Sequence, residues 1–180
     1  PHLVRQVHDP KVGGAQAVVV YNRRLPESRA LAEYYAGVRG IPPAQVLGFD
    51  LPTTETISRA EFRERLQEPL LAALRDRDLF TPGPDQPVPA RNAQPIPWLR
   101  DARVRYLTLC YGVPLKISRD PELIEAVRDS LPEPLRRNEA AVDSELALLP
   151  ANLASLPAAG TLANPAFGQT NRARLPPTNR

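Results

Sequence analysis

Three short, mainly apolar segments constrain the fold of this 180-residue chain more than any other feature. They lie at residues 16–21, 45–50 and 103–111. Runs of aliphatic and β-branched residues of this length are typical of buried strands, although Gly48 weakens the second one. Segments with helical periodicity separate them, and strand, helix, strand, helix, strand predicts an α/β unit with parallel strands.

The first connecting segment carries start and stop signals of a helix. Pro26 suits the first helical position, where the missing backbone N–H costs nothing, and Glu27 favours the same helix end. Gly40 suits the position after the last turn. Helical spacing then predicts a buried face that consists of Leu31, Tyr34, Tyr35 and Val38.

The second connecting segment predicts a helix that starts at Ser58. Ser58 and Glu61 have the spacing of a capping box, in which each side chain satisfies a free backbone N–H of the other residue. Pro69 removes a backbone donor inside the helical pattern, so we expect a kink or break near Glu68. The predicted buried stripe is Phe62, Leu66, Leu70 and Leu74.

Two shorter helices are predicted further along the chain. One starts at Asp120 and Pro121 and carries Leu123, Ile124 and Val127. The other contains Val142, Leu146 and Leu149. Both are short because prolines and polar residues interrupt the pattern on either side.

The predicted fold class is an α/β three-layer sandwich with a mainly parallel sheet. Three parallel strands are few for a finished sheet, which usually has about five or six, so we expect an incomplete Rossmann-like or caspase-like domain. Residues 1–15 are interpreted as an N-terminal extension and 16–150 as the α/β domain, with a proline-rich insertion at 81–98. Residues 151–180 are interpreted as an irregular tail that continues into a C-terminal part outside this chain.

Charge and motif content exclude several classes of protein. The formal net charge of +3 comes from three arginines in the acid-free segment 166–180, which is too little positive charge to favour nucleic-acid binding. The apolar run 15–21 is far shorter than the roughly 20 residues that span a bilayer, so no transmembrane segment is predicted. A phosphate-binding P-loop, a dinucleotide-binding glycine motif, a G-x-S-x-G elbow and an H-E-x-x-H motif are all absent from the sequence.

Cys110 is the single cysteine, and His2 and His8 are the two histidines. One cysteine forms neither an intramolecular disulfide nor a cysteine-based zinc site within the chain. Because Cys110 lies inside the third apolar run, we interpret it as a buried, protonated core thiol. No Cys/His pair for nucleophilic catalysis is predicted, and the catalytic residues stay unknown.

A ligand site is predicted where the strands end. In open α/β sheets, the loops after the carboxyl ends of parallel strands lie at one edge and form the usual binding crevice. We expect Asp50, Tyr111, Asp143 and Glu145 to share one cleft there, with a small molecule or a peptide as the partner. The candidate ligand-binding residues are Asn22, Asp50, Thr54, Glu55, Tyr111, Lys116, Asp143 and Glu145.

The acids among these candidates have two interpretations. Asp50, Glu55, Asp143 and Glu145 could supply oxygen ligands to a hard cation, or a general acid and base. Acids in such positions more often cap helices or face solvent, and Thr54 is more often a turn residue. We therefore predict no metal site, and no cofactor is identified.

Eight segments of the chain form an ordered series of blocks: 19–22, 26–28, 33–36, 39–42, 51–59, 105–107, 110–117 and 142–148. In this order they resemble conserved blocks of a bacterial protein family of unknown function. The resemblance implies that the full protein continues past residue 180 and that it is exported or periplasmic, because many members have a signal peptide before the first strand.

A second, looser similarity is to the gingipain-type, caspase-like peptidases. In these enzymes too, a strand like 106–110 leads through a glycine and proline turn toward a segment like that at Asp143. The similarity implies an alternative function as part of a cysteine peptidase, with the catalytic dyad outside this chain. No residue here matches the catalytic histidine or cysteine, so none is carried over, and whether the protein is an enzyme stays open.

A third interpretation is a noncatalytic interaction module that binds its partner through the proline-rich segment 82–97. Such segments favour an extended polyproline conformation, which many recognition domains bind. The ligand-binding α/β domain remains the leading hypothesis.

Overall fold

A computed structural model describes residues 13–83, 99–124 and 128–149 of the chain. The N-terminal extension up to residue 12, most of the proline-rich insertion, both histidines and the predicted tail lie outside the described residues. In chain order, the strands and helices are β1 (Ala17–Asn22), α1 (Pro26–Arg39), β2 (Val46–Phe49), β3 (Thr56–Ile57), α2 (Arg59–Phe62), α3 (Glu68–Asp76), β4 (Phe80–Pro82), β5 (Leu99–Ala102), β6 (Tyr106–Leu109), β7 (Lys116–Ile117), β8 (Ala140–Ala141) and α4 (Val142–Ala147).

The chain divides into two compact units. The first unit comprises Pro1–Thr53 and Arg103–Val113, and the second unit comprises Thr54–Ala102 and Pro114–Arg180. Each unit is therefore built from two separate stretches of sequence. The predicted boundaries of the α/β domain stay predictions.

The first unit contains a parallel sheet with the strand order β2-β1-β6. Val20 of β1 lies opposite Leu47 of β2 and Leu109 of β6, and both pairings are parallel. The prediction that the three apolar segments lie side by side and point the same way is confirmed. Consecutive residues of β1 are buried, with Val18 and Val19 fully inaccessible although they point to opposite faces. This two-sided burial explains why β1 is a continuous apolar run.

Helix α1 packs on one face of this sheet and has the predicted ends. Pro26 is its first residue, and the helix stops at Gly40, whose φ of 62° is left-handed. The N–H of Gly40 donates to the carbonyl groups of Ala36 and Gly37, which closes the last turn.

The predicted buried face of α1 is wrong. Leu31, Tyr34 and Val38 are 45%, 72% and 63% exposed, whereas Ala32 and Ala36 are buried. Because the helix lies close to β1, the face that contacts the sheet carries small side chains, and most of the larger apolar side chains face solvent. Tyr35 is the exception: it is partly buried at the edge of the core. The core between helix and sheet consists of Ala17, Val19, Ala32, Ala36, Ile41 and Cys110.

Gly48 belongs to β2 despite its weak strand propensity. It lies opposite Tyr21 of β1, and the Tyr21 ring occupies the space that a side chain at position 48 would need. The missing Cβ is therefore what allows an aromatic ring to pack inside this pair of strands.

The second unit contains the predicted helix with its capping box. The hydroxyl of Ser58 accepts a hydrogen bond from the N–H of Glu61, and the Glu61 carboxylate accepts one from the N–H of Ser58. The predicted stripe of Phe62, Leu66, Leu70 and Leu74 is fully buried.

A π-helical turn over Arg63–Gln67 separates α2 from α3. The N–H of Glu68 donates to the carbonyl of Arg63, five residues back, and Pro69 follows in the first turn of α3. Because proline has no N–H to donate, the regular pattern of helical hydrogen bonds is interrupted here. The predicted break near Glu68 is confirmed.

Two small sheets complete the second unit. Strand β7 pairs in parallel with β3 and antiparallel with β8, and α4 follows β8 directly. Strands β4 and β5 form an antiparallel pair. The predicted helix around Val142 is confirmed as α4, with Val142, Leu146 and Leu149 buried.

The helix predicted from Asp120 is wrong for residues 120–124, which form a turn at 121–122 and otherwise have no regular secondary structure. The side chain of Asn138 holds the backbone of Asp120 at both polar groups: the N–H of Asp120 donates to Oδ1 at 3.0 Å, and Nδ2 donates to the carbonyl of Asp120 at 2.8 Å. The carbonyl of Asp120, which would accept the first hydrogen bond of the helix, therefore already accepts one from Asn138.

Two substitutions test the orientation of α1. We expect Leu31→Ala to change the free energy of unfolding by no more than about 0.5 kcal/mol, because the side chain is exposed. Ala32→Leu is expected to cost about 1–3 kcal/mol, since it adds volume where the helix contacts the sheet. Urea unfolding followed by circular dichroism measures both. A larger loss for Leu31→Ala than for Ala32→Leu would contradict the orientation.

Candidate functional site

The carboxyl ends of β2, β1 and β6 meet at one edge of the first unit. Asp50 follows β2, Arg23 and Arg24 follow β1, and Tyr111 lies just beyond β6. Neighbouring strands are about 4.8 Å apart, so the ends of β2 and β6 lie roughly 10 Å apart across β1. We call these four exposed residues the rim: Arg23, Arg24, Asp50 and Tyr111.

Asn22 lies beneath the rim and is fully buried. Its Nδ2 donates to the carbonyl of Pro52 at 3.0 Å and to the carbonyl of Gly112 at 2.8 Å. Its Oδ1 accepts from the N–H of Leu51 at 3.3 Å and from the N–H of Arg24 at 3.1 Å. An asparagine side chain has two donor hydrogens and two acceptor lone pairs, so all four are engaged.

These four hydrogen bonds join the loops that follow all three strands. Pro52 and Leu51 belong to the loop after β2, Gly112 to the turn after β6, and Arg24 to the turn after β1. Asn22 was predicted as a ligand-binding residue from its position at the strand end. The structure places its side chain among backbone groups, so its demonstrated contacts are to the loops.

The end of β1 is also joined to the start of α1. The backbone N–H of Asn22 donates to Oγ of Ser28 at 3.0 Å, and Ser28 is fully buried in the first turn of the helix. The N–H of Leu25 donates to the carbonyl of Asn22 at 3.2 Å. Gly112, with a φ of 85°, turns the chain after β6 and packs against Leu25. These contacts join the end of β1, the start of α1 and the turn after β6 beneath the rim.

The exposed side chains of the rim carry its charge. Arg23 and Asp50 form an ion pair at 3.4 Å, with 57% and 65% of their side chains exposed. An exposed pair of this kind contributes at most about 1 kcal/mol to stability, so it can open without a large cost. Arg24 is exposed, and its guanidinium has no partner among the described residues. Tyr111 is 69% exposed.

The other predicted site residues belong to the second unit, where most have local contacts. Thr54 donates through Oγ1 to the carbonyl of Thr56 at 2.8 Å. The carbonyl of Glu55 accepts from the N–H groups of Leu115 and Lys116, so their backbone bonds join β3 to β7.

The two acids of α4 differ in their surroundings. Asp143 is exposed and accepts a hydrogen bond from the N–H of the next residue, Ser144, at 2.8 Å. Glu145 lies 3.7 Å from Arg59, and their side chains are only 19% and 14% exposed. Because Asp50 and Tyr111 belong to the first unit, the single cleft predicted for them with Asp143 and Glu145 stays a prediction.

Arg59 is a largely buried side chain of the second unit, 14% exposed, whose contacts sequence analysis did not identify. Its Nη2 donates to the carbonyl of Asn138 at 2.5 Å, while its Nε is buried without a hydrogen-bond partner in the described part of the chain. The partners of Arg59 lie about 80 residues away in the sequence, so no local motif predicts these contacts.

Cys110 is 7% exposed and belongs to the core between α1 and the sheet. Desolvation by burial raises the pKa of its thiol. The interpretation of Cys110 as a core thiol is confirmed. Across residues 13–83, 99–124 and 128–149, no three His, Cys, Asp or Glu side chains are grouped so that they could hold a metal ion.

None of the helices that the structure describes is long and apolar enough to cross a membrane. Comparisons of the chain with models of known families, with curated proteins and with solved structures found no match. The family resemblance and the exported location therefore stay expectations from the sequence.

Replacement of Asn22 by alanine is expected to destabilise the first unit by about 2–5 kcal/mol, since it leaves two carbonyls and two N–H groups without their partner in a buried site. The matched control, Thr53→Ala, changes an exposed side chain in the loop after β2 and is expected to cost no more than about 0.5 kcal/mol. Urea unfolding measures both, and equal values would contradict the structural role of Asn22.

The Cys110 thiol is expected to react with Ellman's reagent at least tenfold more slowly in the folded protein than in urea, because burial keeps it protonated and inaccessible. Its raised pKa means that the unfolded state loses its thiol proton first, so stability falls as the pH rises above about 8.5. The free energy of unfolding of Cys110→Ala is expected to fall less over that range. Equal reaction rates, or identical pH profiles of the two proteins, would refute this account.

Proposed function

We propose that the first unit is a ligand-binding module whose rim binds a small anion with an aromatic or other planar part. The observation that carries the proposal is the set of four hydrogen bonds between the Asn22 side chain, which donates two and accepts two, and the loops after all three strands. Loops that are already ordered lose little conformational entropy when a ligand binds. The rim thus has the position and the preorganisation of a binding site in an open parallel sheet.

The charge of the rim supports an anionic ligand. The guanidinium of Arg24 is exposed and unpaired among the described residues, and the exposed pair of Arg23 with Asp50 can release a second one. Guanidinium groups bind carboxylates and phosphates through two parallel hydrogen bonds. Helix α1 begins at Pro26, next to the rim, and the positive end of its dipole adds to the same potential.

Tyr111 supports a planar ligand. Most of its side chain is exposed just beyond the end of β6, although aromatic side chains usually bury much of their surface. A planar group that stacks on this ring while its acidic group contacts Arg24 would use both features.

The finer fold assignment is part of this proposal. We infer that the first unit has the strand arrangement of a three-layer, doubly wound sheet of Rossmann-like or caspase-like type. The order β2-β1-β6 supports this, because flavodoxin-like sheets begin with their second, first and third strands side by side. The peptidase alternative would need a nucleophile other than Cys110, whose thiol is buried.

Titration of the ¹⁵N-labelled protein with benzoate tests the rim. We expect saturable changes in chemical shift at Arg24, Asp50 and Tyr111, because the anion contacts Arg24 and the ring stacks on Tyr111. Arg24→Gln is expected to weaken binding at least threefold. Arg39→Gln is the control: it removes the same charge at the far end of α1 and should leave the affinity unchanged. Shifts that do not involve the rim, or equal losses in the two variants, would contradict the proposal.

A further inference from the structure

The second unit contains a cavity of about 530 Å³ that is open to solvent and lined mainly by exposed arginines. Small-molecule sites usually have volumes of about 300–1,000 Å³, so the cavity is large enough for a ligand. Four of its six lining residues are arginines and one is an acid, which leaves a formal lining charge of +3 (4 − 1). The lining residues are Arg119, Arg128, Glu133, Pro134, Arg136 and Arg137.

The arginines differ in their contacts. Arg136 donates through Nε to the carbonyl of Leu131 at 2.8 Å and through Nη2 to the carbonyl of Asp129 at 3.5 Å, so it holds the turn in place. The side chains of the other three, Arg119, Arg128 and Arg137, have no ion pair or hydrogen bond to any residue that the structure describes.

The fold holds these positive charges together. Asn138, 6% exposed, forms two hydrogen bonds with the backbone of Asp120 and so places the segment that carries Arg119 beside the one that carries Arg137. Two 3₁₀ turns, Arg128–Ser130 and Glu133–Leu135, form another part of the wall. Like charges that converge on one concave surface repel each other, and an anion between them removes that repulsion.

We propose that this cavity is a second binding site, distinct from the rim, for a small ligand that carries a pyrophosphate or a pair of phosphate groups. Three unpaired guanidinium groups match the two to three negative charges of such a ligand. The planar guanidinium group pairs with phosphate oxygens through two hydrogen bonds at once, which a lysine cannot do. Among the described residues, the neighbouring acids Asp120, Asp129 and Glu133 form no ion pair with the arginines of the cavity.

Isothermal titration with inorganic pyrophosphate in 150 mM NaCl tests the proposal on the full chain. We expect saturable binding with one ligand per chain at this cavity. The double variant Arg119→Gln/Arg137→Gln is expected to weaken binding at least tenfold. The matched control, Arg39→Gln/Arg75→Gln, removes the same charge from α1 and α3 and should bind as the wild-type protein does. Circular dichroism checks that all variants remain folded.

Further arms separate the sources of any signal. Arg119→Lys/Arg137→Lys keeps the charge but loses the paired hydrogen bonds, so its affinity should lie between those of the wild-type protein and the glutamine variant. Arg24→Gln should bind pyrophosphate as the wild-type protein does, whether or not the rim binds benzoate. Equal losses in the two glutamine double variants would show nonspecific attraction, and no saturable binding below 1 mM would overturn the proposal. Loss of binding in Arg24→Gln alone would assign the anion to the rim instead.

Discussion

The structure of the first unit depends on one buried side-chain amide, that of Asn22. Parallel strands end in loops whose backbone groups have no partners in the sheet, and such groups are costly when they are buried. Asn22 supplies donors to two of these loops and an acceptor to two N–H groups, so a single residue of the central strand satisfies four backbone groups. The rim can therefore be both exposed and ordered.

Much of the fold could be predicted because its signals are local. The β-branched run of β1, Pro26 and Gly40 at the ends of α1, and the capping box at Ser58 each specify an element through neighbouring residues. The interruption before Pro69 follows from a missing N–H. The parallel order of the strands follows in turn from the alternation of strands and helices.

The failures share a physical cause, which is that they depend on the space and the partners available in the folded chain. Helix α1 buries Ala32 and Ala36 rather than Leu31 and Tyr34, because hydrophobicity does not report how closely a helix approaches its sheet. The hydrogen bonds between Asn138 and Asp120 and the pairing of Arg59 with Glu145 join distant segments, so no spacing predicts them. Asn22 was selected as a ligand-binding candidate from its position at the end of β1. Its hydrogen bonds to the loop backbone were not predicted, since an asparagine side chain binds ligands and backbone groups equally well. The arginine-lined cavity was not predicted, because its residues lie on separate segments of the chain.

Amide hydrogen exchange tests the central claim most directly. The N–H groups of Leu51 and Arg24 lie in loops, but both donate to Oδ1 of Asn22. If that carbonyl holds the strand ends together, both amides should exchange as slowly as the amide of Cys110, which donates to the carbonyl of Val20 in the sheet. Exchange of Leu51 and Arg24 at the rate of an unprotected loop would contradict the account.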